Sequence, residues 1–192
     1  MGTALIVLAY LLGGVPFGYL VVRRVKGIDV RELGSGNIGA TNVARTVGKK
    51  LGAAVLVLDA LKGLLPTLAA RLLVPDVPWL HVAVGGAAIV GHIFPVWLRL
   101  KGGKGVATAL GVYVVLLPVP ALAGFIVFAG CYAAFRLVSL GSLLGAITTA
   151  IVAFALLGPG AYSALAAGAA VLIVWRHRAN VMRLVRRQEK RL

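Results

Sequence analysis

The amino-acid sequence predicts an all-α, polytopic integral membrane protein. It reads as one membrane-embedded domain over residues 1–192, with seven transmembrane helices, the N-terminus outside and the C-terminus cytoplasmic. Three observations carry this expectation. First, 60% of the 192 residues are hydrophobic and the mean hydropathy is +0.99, while charged residues make up only 13%, about half the soluble average. Second, the apolar residues come in solid blocks close to the roughly 20 residues a bilayer crossing needs, rather than in the alternation of a β-barrel. Third, Lys and Arg gather in alternate connections, as they do in cytoplasmic loops.

The elements follow in order. A first apolar segment runs from Thr3 to Val22 and ends at Arg23-Arg24. Its charges follow it rather than precede it, so it reads as a retained first helix and not as a cleaved leader. A polar loop spans Val25 to Lys50. The second helix runs from Leu51 to Leu73, carries Asp59 and Lys62, and is stopped by Pro75 and Pro78. The third, Trp79 to Leu98, passes Gly91-His92 and Pro95 before the cluster Arg99, Lys101, Lys104. The block Val106–Phe135 is 30 residues long, too long for one crossing, and Pro118 and Pro120 split it in two. Gly158-Pro159-Gly160 likewise splits Ser139–Trp175, and a basic tail runs from Arg176 to Leu192.

Loop charge tests the count. With the N-terminus outside, the inside segments hold seven, three, one and seven Lys/Arg, 18 of the 20. Only Arg71 falls outside, and Lys62 lies within a helix. A single crossing over Val106–Phe135 would move Arg136 and the tail to the outer face, against the rule. This partition also accounts for the net charge of +15 without nucleic acid as a partner. The single cysteine, Cys131, lies in an apolar run and excludes an internal disulfide; its expected role is packing. His81 falls at the outer interface and is given no role.

Three polar motifs share the cytoplasmic face in this topology. The first is Gly34-Ser35-Gly36-Asn37-Ile38-Gly39-Ala40-Thr41-Asn42, followed by Arg45. Its glycines permit positive φ and can turn successive N–H groups toward one point, while Ser35, Asn37, Thr41 and Asn42 add side-chain donors. That suits a phosphate, although a Gly-rich turn can also merely cap the next helix. No βαβ unit surrounds it, so it is not a dinucleotide fingerprint, and Ala40 stands where a Walker lysine would. The second motif is Gly91-His92, then Lys101-Gly102-Gly103-Lys104 leading to Thr108 at the start of a helix. Lysines fixing orientation explain the charge there, but not the interleaved glycines, which permit close backbone approach to an anion. The third is Arg176-His177, Asn180, Arg183 and a trailing Glu189. Helical spacing places His177 and Asn180 on one face, with imidazole able to move a proton near neutrality. The competing reading, a basic helix on anionic headgroups, is accepted for Arg186, Arg187, Lys190 and Arg191.

Asp59 and Lys62, spaced i, i+3, are expected to neutralise each other within the bilayer. Five acids in the whole chain are too few for a Ser-His-Asp triad or a carboxylate metal cage; no metal and no cofactor is expected. Neither His92 nor His177 is followed by the aspartate of the His-Asp acyltransferases that use CoA thioesters.

The runs GSGNIGATNVART, GH with KGGKGVAT, and RHRANVMRL with a trailing Glu resemble the bacterial acyl-phosphate-dependent glycerol-3-phosphate acyltransferases, the PlsY family. The resemblance covers three motifs in order over nearly the whole chain. Departures are mild: Leu100 stands where phenylalanine often does, Val181 replaces isoleucine, and a glycine common near Arg187 is missing. The resemblance implies a seven-helix enzyme of the bacterial inner membrane with its active site on the cytoplasmic side. It would transfer a fatty acyl group from acyl phosphate to the 1-position of glycerol 3-phosphate, giving lysophosphatidate within the membrane lipid. Neither CoA nor acyl carrier protein would be the direct donor.

On this reading Ser35, Arg45, Lys104, His177 and Asn180 are the catalytic candidates. Gly34, Gly36, Asn37, Gly39, Thr41, Asn42, Lys101, Gly102, Gly103 and Thr108 are the phosphate-binding ones. His92, Asp59, Lys62, Arg183 and Glu189 support them. The general base is His177 or a substrate phosphate. The alternative function is a small membrane transporter of a phosphorylated metabolite, which would need a polar path to an outer half that is nearly featureless.

Overall fold

The computed structural model describes all 192 residues. The chain is helical throughout, with no strand: ten α-helices joined by short turns. The first helix, α1 (Gly2–Gly13), and α2 (Phe17–Lys26) are separated by Gly14-Val15-Pro16 and bent by 40°. The single helix expected over Thr3–Val22 is therefore broken. Pro16 lacks an N–H and pushes the preceding residue out of the α region.

The polar loop contains a 3₁₀ turn, Val30–Glu32, and ends in the short α3 (Ala40–Thr46). Next come α4 (Lys49–Leu73) and α5 (Pro78–Ile93). The two long blocks divide where their breakers stand, giving α6 (Val106–Leu116), α7 (Pro118–Phe135), α8 (Val138–Leu157) and α9 (Ala161–Arg176). The tail is not one helix: α9 ends at Arg176, and α10 (Arg178–Val185) starts after a kink at His177.

By length and composition α4, the segment Pro78–Leu98, α7 and α8 can each cross a membrane, and the bent α1–α2 pair passes the same test when its two helices are counted together. Two apolar helices, α6 and α9, are shorter. Large apolar side chains such as Leu72, Ile151 and Val171 point outward, as lipid requires and water does not tolerate over such an area.

The core centres on Ile89, Ile93, Val112, Leu117 and Ile173, from α5, α6, the α6–α7 turn and α9. Helices α4 and α6 approach one another closely. A Cβ at Gly63 would strike the Thr108 carbonyl, and one at Gly111 the Ala60 carbonyl, so both positions need glycine for the backbones to touch. This contact fixes α6, and the loop before it, against the middle of α4.

His81, in the first turn of α5, is 1% exposed. Its ring nitrogens lie 3.0 Å from the Tyr162 hydroxyl and 2.7 Å from the Val74 carbonyl, tying α5 to α9 and to the end of α4. Arg187, near the site of the missing family glycine, has φ of 56°, the left-handed conformation that glycine adopts without strain.

Candidate active site

The first motif is organised by one side chain. Asn42 is buried, and its Oδ1 accepts from Ser35 N at 2.9 Å. Its Nδ2 donates to the carbonyls of Val30, Leu33 and Asn37 at 3.3, 3.0 and 2.9 Å. Asn37 Oδ1 in turn accepts from Gly39 N at 2.8 Å. Gly34 and Gly36 have φ of 59° and 69°, which lets the chain wrap around Asn42. The Asn42 amide is thus spent on the loop itself, as is the Asn37 Oδ1. What the motif offers to the pocket is the hydroxyls of Ser35 and Thr41, the Asn37 side chain and the guanidinium of Arg45.

Those groups line a pocket together with Lys104 from the loop before α6, Ser139 and Ser142 from α8, and Asn180, Arg183 and Glu189 from the tail. Lys104 Nζ donates to Asn180 Oδ1 at 2.5 Å, and Asn180 Nδ2 donates to Glu189 Oε1 at 2.7 Å. Glu189 also accepts from Ser139 Oγ at 2.9 Å and from Arg183 Nε at 2.7 Å. Its carboxylate is the keystone that orients Asn180 toward Lys104. Arg45 Nη2 donates to the Lys190 carbonyl at 3.1 Å, while Arg45 Nε is buried without a partner, a donor aimed at a site for an anion.

Under the pocket lie Asp59 and His92. Asp59 Oδ1 is 2.8 Å from Lys62 Nζ and 3.7 Å from His92 Nδ1, and all three side chains are nearly fully buried. Lys62 also donates to the Val15 carbonyl at 2.8 Å, beside the break between α1 and α2. The expected neutralising pair is present, and it joins the helix break to His92.

Several expected residues do not face the pocket. Lys101 is exposed, and Thr108, Lys62 and His177 are buried beside the site rather than lining it. Gly34 and Gly36 shape the loop from behind. Gly102 and Gly103 lie behind it too: their N–H groups donate to the Ile93 and His92 carbonyls, both at 3.1 Å. Their carbonyls accept from Arg176, at 2.8 Å for Gly102 and 3.1 Å for Gly103. These glycines serve a close approach to the end of α5, not to an anion. Arg176 is the clamp that holds them there. Ser139 and Ser142 are lining residues that the sequence analysis does not single out, although two hydroxyls spaced i, i+3 at the N-terminal end of an apolar helix are a usable signal.

The charges set the chemistry. Burial pushes the Lys104 ammonium down to about 8; the Glu189 carboxylate opposes this, and Arg183, Arg45 and Arg176 add to it. Burial likewise pushes the His177 imidazole down to about 4, helped by the charge of Lys104. Its Nδ1 lies 2.8 Å from the Ile173 carbonyl, so at neutral pH it is an uncharged ring donating there. Burial alone would raise the Glu189 carboxyl, but the hydrogen bonds from Arg183, Asn180 and Ser139 outweigh it and hold the group below its ordinary value.

The cationic pocket runs without a break into an apolar groove. Leu56, Val106, Ala107, Phe128 and Ser142 border both, and the groove continues along α6, α7 and α8 to Tyr113, Ala121 and Thr149. Cations and hydroxyls beside an apolar groove fit a ligand with an anionic head and a long apolar tail.

Residues 3–187 match the family described as Glycerol-3-phosphate acyltransferase. A protein of that name from Myxococcus xanthus (strain DK1622) is 55% identical over the full length of both chains. Another, from Anaeromyxobacter sp. (strain K), is 50% identical over 100% of this chain and 98% of its own. Among solved structures, PlsY (YgiH), an integral membrane glycerol 3-phosphate acyltransferase, superposes in its glycerol 3-phosphate form with a TM-score of 0.94. It is 41% identical over 100% of this chain and 95% of that one. Its lysophosphatidic acid form gives 0.92.

Proposed function

The chain belongs to the glycerol-3-phosphate acyltransferase family, and from that membership we propose the donor, the regiochemistry and the membrane orientation of its reaction. It is an integral membrane enzyme that acylates glycerol 3-phosphate to lysophosphatidic acid. The donor is acyl phosphate, used directly without CoA or acyl carrier protein, and the acceptor is the 1-hydroxyl. The site faces the cytoplasm from a bacterial inner membrane crossed seven times. The chain forms one catalytic domain.

The observation that carries this reading is the continuity of the cationic pocket with the apolar groove. Acyl phosphate has one anionic head on one apolar chain, and its carbonyl stands at that junction when the head sits by Arg45 and Lys104. Both substrates carry phosphate, and the pocket presents Arg45, Lys104 and Arg183 around hydroxyl groups, which suits charge-assisted contacts to two anions.

The chemistry follows from the groups that remain available. The 1-hydroxyl oxygen attacks the acyl carbonyl carbon, the bond from that carbon to the phosphate oxygen breaks, and inorganic phosphate leaves. The hydroxyl proton needs an acceptor. His177 is a weak base at a pKa of about 4, Glu189 is held by three hydrogen bonds, and Asp59 is paired with Lys62. A phosphate oxygen of a bound substrate, with a second pKa of about 6, therefore takes the proton. Ser35 contributes a hydroxyl to the developing oxyanion, and Asn180 holds Lys104 in place.

The test is direct. Purified protein in lipid, given hexadecanoyl phosphate and glycerol 3-phosphate, is expected to form 1-acyl lysophosphatidate and inorganic phosphate in equal amounts. Turnover with acyl-CoA or acylated carrier protein but not with acyl phosphate would overturn the donor assignment.

A further inference from the structure

The apolar groove has a closed floor. Its walls are three successive helices: α6 from Val106 to Tyr113, α7 from Ala121 to Phe128, and α8 from Gly141 to Thr149. Each stretch rises roughly 10–12 Å at about 1.5 Å per residue. The three stretches therefore span a similar depth, with Tyr113, Ala121 and Thr149 at the end away from the cationic pocket. Beneath that level the α6–α7 hairpin closes the space, with Leu116, Leu117 and Ala153 packed in the main core. Tyr113 itself is 4% exposed and is the aromatic side chain at this end of the groove.

The side of the groove is different. Leu56 on α4 and Phe125 on α7 line or border it yet are 49% and 51% exposed, so it opens laterally toward the bilayer. An all-trans hydrocarbon advances roughly 1.3 Å per carbon, a ~1.5 Å bond projected on the chain axis. The enclosed depth therefore takes about eight or nine carbons, well short of a common membrane fatty acid.

We infer that Tyr113 is a specificity-determining floor that stops the acyl chain at that depth and turns the remainder out past Phe125 into lipid. The inference rests on the acyl-phosphate reading above. The enzyme then senses the shape of the carbonyl-proximal half of the chain and is indifferent to what lies beyond. The occupant of the groove is a fatty acyl chain whose distal end stays dissolved in the membrane.

Varying total chain length would confound this with partitioning, since each methylene is worth about 0.8 kcal/mol in water-to-lipid transfer. Positional isomers avoid the problem. The intact protein in nanodiscs is given methyl-branched hexadecanoyl phosphates with the branch near the carbonyl, at the depth of Tyr113, or close to the chain end. The branch at the floor is expected to lower kcat/KM about tenfold against the terminal branch, the scale of one misplaced methyl in an apolar pocket. Tyr113→Ala should relieve that penalty, and Tyr113→Phe should keep it. Ala121→Leu, which raises the floor from α7, should move the penalty toward the carbonyl and keeps the test alive if Tyr113→Ala fails to fold. Normal turnover of the straight chain with no dependence on branch position overturns the floor alone. An unchanged penalty in a folded Tyr113→Ala does the same. Failure of straight hexadecanoyl phosphate to react overturns the donor reading, and the floor with it.

Discussion

Lys104 is held by its neighbours in a state that substrate binding must complete. With a pKa of about 8, about a tenth of the population is neutral at pH 7, and the neutral fraction grows as pH rises. On the proposed reading the charged form binds phosphate, so KM for glycerol 3-phosphate should be flat near neutrality and rise above pH 8, by at most about tenfold per unit for one proton. Lys104→Arg should remove that alkaline limb, because a guanidinium stays charged beyond pH ~12. Lys104→Ala should lower kcat/KM by about a hundredfold or more, the scale of one lost charge-assisted contact to a transition-state anion, in protein that still folds in detergent. Near-normal activity in the alanine variant, or an alkaline limb that survives in the arginine one, would remove Lys104 from the phosphate site. His177 is the complementary case. Asparagine there can keep a hydrogen bond toward the Ile173 carbonyl but cannot accept a proton, so His177→Asn should retain measurable turnover with a pH profile still set by substrate phosphate. A loss of about 10²–10⁴-fold with both substrates bound normally is the signature of a missing general base and would return the proton to His177. The types of these residues were legible in the sequence. Their pairing was not: Asn180 meets Lys104 across 76 positions only because the tail folds back on Glu189.

The loop between α5 and α6 shows where an element can be read and where it cannot. Breaks at Pro118 and at Gly158-Pro159-Gly160 are local chemistry, and both stand where the residues put them. Pro16 was equally visible, yet its break was hidden by an apolar run that continues on either side of it, from Ala4 to Val22. The glycines of Lys101-Gly102-Gly103-Lys104 were harder still. A glycine demanded by close approach looks the same in sequence whether a phosphate or another backbone does the approaching. Here it is α5: the His92 ring and carbonyl lie directly against Gly103 and Gly102, Asp59 and Lys62 stand behind the ring, and Arg176 closes the loop from the other side. A Cβ at Gly103 would run into His92 Nε2, so Gly103→Ala should push the loop outward and carry Lys104 with it. The expected result is a rise in KM for glycerol 3-phosphate and a loss of about a hundredfold in kcat/KM, the effect of displacing a catalytic group by about 1 Å, while the helical content stays the same. Wild-type kinetics in Gly103→Ala would mean that the glycine is there for another reason. Shortening the His92 side chain should partly rescue the alanine variant, because the clash is with the ring.

At the scale of the whole molecule, the short helix α6 is where the proposed topology is decided. Its 11 residues rise only about 16 Å, roughly half the hydrocarbon thickness. The stretch Lys101–Gly105 leads into it as irregular backbone. Such backbone survives at membrane depth only where its polar groups are satisfied by protein, and the bonds of Gly102 and Gly103 to α5 and Arg176 do that. The cationic pocket, lined by Lys104 of this stretch, opens beside the mouth of the apolar groove. This geometry makes topology decisive. If α6 crosses, the α6–α7 turn is external, α8 ends outside at Gly158, and α9 returns the tail to the cytoplasm with seven of the Lys and Arg residues. If α6 and α7 together made a single crossing, every later connection would invert. Arg136 and the basic tail would then lie outside, and the tail could not reach the cytoplasmic motif that its Lys190 carbonyl meets at Arg45. A reporter inserted at Pro159 should therefore read as external, and one fused after Leu192 as cytoplasmic. A cytoplasmic signal from Pro159 would require a different number of spans, and it would separate Asn180 and Glu189 from Lys104 by the thickness of the bilayer. Activity measured in the same fusion proteins makes the two readouts answer to each other: a catalytically competent fusion cannot also have that inverted topology.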